Sequence, residues 1–224
     1  MSQNGRQLSA MIDLETAGQS GKAAVWSIGI QLFDPWGEAP REPRPPYAHI
    51  DDPTQFYRNL KITEQVRRGM VIEEGTIRWW LGKSTGGPAV NQEARNGILS
   101  DPDPIDTDVA LLDMERFLLS NKVRHVWAHG VDFDVAIVNL LWRSFFGPDK
   151  KMPWFFSNTE HTRSVFRLAY MDGKPPSLKM EVAHHAMMDA YRQSCGVQES
   201  MRQMRQHGIV WQGLPVAESL VNVE

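Results

Sequence analysis

Cysteine is nearly absent from this sequence. Its single thiol, Cys195, excludes an intrachain disulfide framework and a zinc site built on cysteines. Long apolar runs are missing too. No stretch approaches the ~18 residues that a membrane helix needs, and Met1 to Glu15 lacks the apolar centre of a secretory leader. The simple expectation is a cytoplasmic protein with no membrane partner. Nor does charge of one sign dominate. Twenty-seven acids against 24 lysines and arginines leave a formal net charge of −3. That excludes a protein that coats nucleic acid by bulk positive charge. It leaves room for an enzyme that gathers carboxylates around metal ions, where the metals rather than lysines meet a phosphate.

What is present suffices for a sizeable core. The 224 residues, 42% hydrophobic and 23% charged, fit one large domain over 1–224 with its core at about 8–206. Pro35 to Pro53 is the most irregular stretch, read as a surface connection interrupted by a short strand near Tyr47 to Ile50. Gly82 to Asp108 is a second soft region, with Gly86-Gly87-Pro88 inside it. Neither separates domains, because the chemistry-bearing motifs lie on both sides of them.

Leu8 to Leu14 reads as a strand, Gly18 to Gly21 as a turn, and Val25 to Phe33 as the second arm of a hairpin. Thr76 is expected to cap a helix holding Trp79 and Trp80. Helices are expected over Asp106–Leu119, Phe133–Phe146, Thr162–Met171 and Ala186–Gln206, with a short strand at Val123–Ala128. Early strands, then alternating strands and helices, indicate an α/β fold with a mixed central sheet flanked by helices.

Asp13 and Glu15 stand two apart at the end of the first strand, so period-two geometry puts both on one face. Such a pair can chelate a hard divalent cation. Alone it says little: this acid content yields roughly three acid-x-acid pairs by chance. Asp134 lies where an apolar strand ends and a helix begins, the place in α/β sheets where ligands collect. Asp132, two residues earlier, is the better candidate for a helix cap. His184 and Asp189 are five apart, about 140° on a regular helix, so they would not share a face. His184 is therefore expected on the loop before the helix and Asp189 one turn inside. His185 competes locally for the role of base. Carboxylates without a cysteine cluster suit Mg²⁺ or Mn²⁺ rather than zinc.

The order Asp-x-Glu, Phe-Asp, His-x4-Asp resembles the three-motif pattern of the DEDDh 3′–5′ exonucleases, which have a ribonuclease-H-like fold. Ile12-Asp13-Leu14-Glu15-Thr16, Gly21-Lys22-Ala23-Ala24-Val25 and Phe33-Asp34-Pro35 sharpen the resemblance toward phage exonuclease A (DexA) and exoribonucleases of the RNase AS type. Thr76-Ile77-Arg78-Trp79-Trp80, Gln92-Glu93-Ala94-Arg95 and Val182-Ala183-His184 extend it over roughly residues 9 to 205. Two positions depart from the pattern. Gly130 stands where proofreading-type relatives carry Asn. His161-Thr162-Arg163-Ser164 stands where the subgroup often has Asp-x-Arg-Thr.

The resemblance implies hydrolysis of single-stranded DNA or RNA from the 3′ end to nucleoside 5′-monophosphates, with two metal ions. Asp13 would bridge both ions, Glu15 and Asp189 would complete one site, and Asp134 would hold the second. His184 would take the proton from the attacking water. Leu14, Thr16 and Ala17 are candidates to line the terminal nucleotide's pocket. Trp79 is a candidate to stack on a base, since adjacent tryptophans on a helix diverge by about 100° and one at most faces substrate. Arg163 is a candidate phosphate contact. Met187, Met188, Met201 and Met204 are expected in core or an interface; with the resemblance, they motivate a homodimer. Rival readings are an exoribonuclease restricted to RNA tails or short oligonucleotides, a catalytically silent nucleic-acid-binding protein of the same fold, and a small-molecule phosphodiesterase.

Overall fold

The computed structural model describes residues 8–43, 52–82, 95, 99, 101, 103–178 and 184–208. Strands β1 (Ser9–Thr16), β2 (Val25–Phe33), β3 (Gln55–Asn59), β4 (His125–Ala128) and β5 (Thr159–His161) form one sheet in the order β3-β2-β1-β4-β5. β1, β2 and β3 are antiparallel neighbours, whereas β4 and β5 run parallel to β1. The helices are α1 (Thr63–Arg67), α2 (Glu74–Trp80), α3 (Thr107–Ser120), α4 (Ala136–Phe146), α5 (Thr162–Ala169) and α6 (Ala186–Gln206). This is an α/β fold with a five-stranded mixed sheet flanked by helices, consistent with a ribonuclease-H-like architecture.

Alternation along β1 sorts its side chains between two layers. Ala10, Ile12 and Leu14 join the core built with Leu111 and Met114 of α3 and Ile137, Val138 and Trp142 of α4. Met11 points to the other face, where Phe166 of α5 and Ala190, Val197, Met201 and Met204 of α6 pack. Asp13 and Glu15 continue that second face. The methionines of α6 are all buried within the chain, Met187 and Met188 included, so they serve its own core.

Several boundaries differ from expectation. α2 begins at Glu74, which places Thr76 inside it rather than at its start. The Glu73 carboxylate instead accepts the backbone N–H groups of Gln19 and Ser20, both at 3.0 Å, and so holds the turn after β1. The segment before α4 is a π-turn, Val131–Val135, preceded by Gly130 and with no side-chain cap from Asp132. Such turns often sit at functional sites. The expected strand at Tyr47–Ile50, the Gly86-Gly87-Pro88 turn, the Gln92-Glu93-Ala94 motif and Val182-Ala183 lie outside the described residues.

Candidate active site

The ladder between β1 and β4 runs from Ser9–His125 to Met11–Trp127. Asp13 and Glu15 therefore stand beyond it, next to the point where β4 gives way to the π-turn carrying Asp134. On the other side, Asp13 is paired with Gly29 of β2. A Cβ on Gly29 would lie 2.3 Å from the backbone carbon of Ala186 and 2.4 Å from the nitrogen of Met187. Only a glycine lets the start of α6 come this close to the sheet. That approach carries Asp189, one turn inside α6, to the two carboxylates of β1.

Asp13, Glu15 and Asp189 converge: one ligand oxygen from each lies within 4.8 Å of the others. Asp134 is buried at 6% exposure and raises the pKa of Asp13 and Glu15, but it does not join that 4.8 Å group. Burial pushes Asp13 and Glu15 well above the usual carboxylate range, and their acidic neighbours push in the same direction. Asp134 is raised to about 7 by burial, against the pull of backbone N–H groups at Gly130 and Leu14. Asp189 is also raised to about 7 by burial, against Arg192, whose Nη1 lies 3.9 Å from Asp189 Oδ1. Buried carboxylates that repel one another, with little cationic relief, form a donor set suited to a hard divalent cation. The residues present fit such a metal.

The adjacent histidines part company at the start of α6. His184 has a left-handed backbone (φ +44°), which costs a non-glycine residue on the order of 1 kcal/mol. Its ring meets Trp79 edge-on, with centroids 4.9 Å apart, and it lines the same cleft as Asp189. Burial lowers its pKa from the ordinary imidazole value. His185 turns inward at 2% exposure and stacks on Tyr57 with centroids 4.6 Å apart. Burial lowers its pKa to about 4.

The other sequence candidates separate clearly. Trp80 is core and donates its indole N–H to the Thr16 carbonyl at 3.0 Å, whereas Trp79 is half-buried beside His184. Ala17 is fully buried, and both its backbone groups are bonded, to Ala24 and Glu73. Leu14 faces the α3–α4 core, and the Thr16 hydroxyl donates to the Gly18 carbonyl at 2.6 Å. These three side chains therefore offer little surface to a ligand. Arg163 does line the cleft, and its Nη1 would lie 3.5 Å from a Cβ on Gly130.

Two site residues escaped the sequence reading. Gln193 donates from Nε2 to Asp13 Oδ1 at 2.7 Å. It lies one turn after Asp189, so its i+4 spacing was the available signal. Gly29 stands in the middle of a mostly apolar strand, a pattern that marks close backbone approach. His129, at the end of β4, also lines the cleft. Its Nδ1 lies 2.9 Å from the Thr162 hydroxyl, and burial first, then Arg163 and His161, lower its pKa to about 4.

The cleft has a volume of about 720 Å³ and is open to solvent. No helix among the described residues is long and apolar enough to cross a membrane. No curated protein matches the chain significantly. A family model does match, over residues 8–201, from β1 into α6: that of the 3′–5′ exoribonuclease Rv2179c-like domain. The match spans the strand that carries Asp13 and Glu15, the turn that carries Asp134 and the helix that carries Asp189, and the chain belongs to the Rv2179c-like 3′–5′ exoribonuclease family.

Proposed function

We propose that this chain removes nucleotides from the 3′ end of single-stranded RNA through a DEDDh-type centre of Asp13, Glu15, Asp134, Asp189 and His184. The observation that carries the reading is the convergence of Asp13, Glu15 and Asp189 within 4.8 Å, with Asp189 lining a cleft that His184 also lines. The family match supports the activity and its direction. The motifs of the chain also resemble those of DexA and the RNase AS group.

Asp13, Glu15 and Asp189 would hold one Mg²⁺ or Mn²⁺, and Asp134, with Asp13, would hold a second. Bound there, such ions supply positive charge to the scissile phosphate and make water a stronger nucleophile at neutral pH. The chain's own residues do the rest. His184, depressed by burial, is neutral near pH 7 and accepts the proton of the attacking water at a ring nitrogen. Trp79 braces that ring from the side. Gln193 fixes the orientation of the Asp13 carboxylate. Arg163 sits where it can meet a phosphate oxygen. A homodimer follows from the resemblance alone, since α6 uses its methionines internally; light scattering at twice the 25.5 kDa of one chain would support it.

The test is a matched pair of oligonucleotides, one RNA and one DNA, labelled at the 5′ end and incubated with Mg²⁺ or Mn²⁺. A ladder shortening from the 3′ end, faster on RNA, supports the reading. Retention without cleavage points to the silent binding protein. Equal degradation of a substrate blocked by a 3′-phosphate removes the 3′-end requirement.

A further inference from the structure

Three cations, Arg163, Arg167 and Lys174, outnumber one acid, Asp172, on this side of the cleft, in a protein whose net charge is −3. Arg163 and Arg167 lie four apart on α5, so they share a face, with Cβ atoms about 5–6 Å from one another. Lys174 follows in the turn after α5, and all three line the cleft that Asp189 also lines. All three are exposed, and none makes an ion pair with another described residue. Gly173, at φ +64°, lets the turn lie against the stem of Arg167: a Cβ there would come within 3.2 Å of Arg167 Cγ. The Lys174 N–H bonds to Asp172 Oδ1 at 3.0 Å, which sets the direction in which the turn presents Lys174.

Helix electrostatics do not account for this wall. A cation near a helix C-terminus is favourable, which suits Arg167. Arg163 is in the first turn, the end at which a cation is unfavourable. The inward side of α5 is occupied by Thr162 and Phe166, both buried, so its polar side is left to the cleft.

We propose that Arg167 and Lys174 form a phosphate track for the strand upstream of the scissile bond, continuing from Arg163 beside the carboxylates. The inference rests on the exoribonuclease reading and names what that site grips beyond the terminal nucleotide: the backbone of single-stranded RNA. A cleft of about 720 Å³ is comparable to the site for one small ligand, so a longer strand must leave it along a wall. Successive phosphates would meet Arg163, Arg167 and Lys174 in turn. Such contacts are independent of base sequence and weaken with salt.

The double variant Arg167→Ala/Lys174→Ala tests the track on a ribonucleotide dimer and a 12-nucleotide RNA, at several salt concentrations. Both side chains are exposed, so the variant should fold; melting is the check. The ratio of KM for the 12-mer to KM for the dimer should rise about tenfold. The salt dependence of 12-mer binding should lose roughly 1.4 from its log–log slope, at ~0.7 per phosphate contact for single strands. Arg116→Ala, an exposed cation paired with Asp113 outside the cleft, should leave the ratio unchanged. An unchanged ratio in the double variant overturns the track. So does an equal loss on both substrates, which would place the two cations at the terminal nucleotide. So does an Arg116→Ala effect of the same size, which would make the response one of bulk charge. A wild-type protein that cleaves neither substrate would instead overturn the functional reading.

Discussion

The candidate site is assembled from two regions of opposite character. The β1 end carries Asp13 and Glu15 on a strand paired along its length with β2 and, through its first half, with β4. The α6 start carries Asp189 one turn inside a helix that must be docked onto the sheet, with His184 just before it. Its position depends on a glycine that admits it, Gly29, and on an aromatic stack, His185 on Tyr57. A strand ladder fixes two carboxylates by local hydrogen bonding, whereas the third arrives by tertiary packing. The geometry of the carboxylate cluster is therefore only as good as the docking of α6.

The largest effects should come from the proposed base and metal ligand on the α6 side. His184→Ala should lower turnover by ~10²–10⁴, the usual value of general-base catalysis, while metal binding measured by calorimetry stays near wild type. Asp189→Ala should lose turnover and weaken the metal together. His185→Ala should lower the melting temperature through its lost stack and leave the pH profile of the residual rate intact. If His185→Ala instead abolishes turnover while His184→Ala is nearly silent, the base is His185.

Next comes the docking itself. Gly29→Ala places a methyl carbon where the backbone of Ala186 and Met187 already lies. The helix start must move, and misplacement by about 1 Å can cost about 10²-fold in rate. We expect a loss of that order, with ~1–3 kcal/mol of stability. Gly75→Ala, in α2 with open space around it, should be neutral or slightly stabilising. Wild-type activity in Gly29→Ala would show that α6 docking does not set the site.

Sequence and structure agree most closely where periodicity is strong. The second strand, Val25–Phe33, and the last helix, Ala186–Gln206, match expectation at both ends. The pair Asp13 and Glu15 says little alone; the order Asp-x-Glu, Phe-Asp, His-x4-Asp is what makes the carboxylates legible, as a resemblance. Short or mixed elements were not legible. β3 reads Gln-Phe-Tyr-Arg-Asn, and its buried polar groups are bonded by other side chains: Gln55 to Gln31, and Asn59 to Tyr57 and Asp101. A strand satisfied in that way shows no apolar alternation. β5 has three residues, too few for a period. The pocket candidates Leu14, Thr16 and Ala17 followed from adjacency in sequence; in the structure Leu14 faces the α3–α4 core, and Thr16 and Ala17 are buried as well.

A smaller effect should separate the two regions at Gln193, which joins them by donating to Asp13 from α6. Gln193→Leu keeps the volume and removes the donor. Groups that orient a metal's ligands typically contribute 10–100-fold in affinity or activity, and we expect the lower end of that range for Mn²⁺ affinity. Unchanged affinity would make the hydrogen bond incidental.

The smallest effect concerns pH and the metal-free protein. Asp13, Glu15, Asp134 and Asp189 have raised pKa values, the last two about 7. Between about pH 4 and 7 the folded state holds protons that the unfolded chain has released, so these groups lower stability as pH rises. His129 and His185, held near 4, act oppositely from about 4 to 6.5, where only the unfolded chain is protonated. Above 6.5 that opposition fades as the unfolded histidines lose their protons. The melting temperature in chelator should therefore drop by several degrees between pH 6.5 and 7.5, at ~2–4 °C per kcal/mol for a chain of this size. Saturating Mn²⁺ should abolish the drop. A chelator curve that is flat or rising over that interval would contradict the carboxylate assignment.

The most direct test of the whole account is digestion of a 5′-labelled single-stranded RNA by chelator-treated protein, before and after Mg²⁺ or Mn²⁺ is restored. The account predicts no cleavage in chelator and, with metal, a ladder of products shortened one nucleotide at a time from the 3′ end. Full activity in excess chelator, or products shortened from the 5′ end, would contradict it.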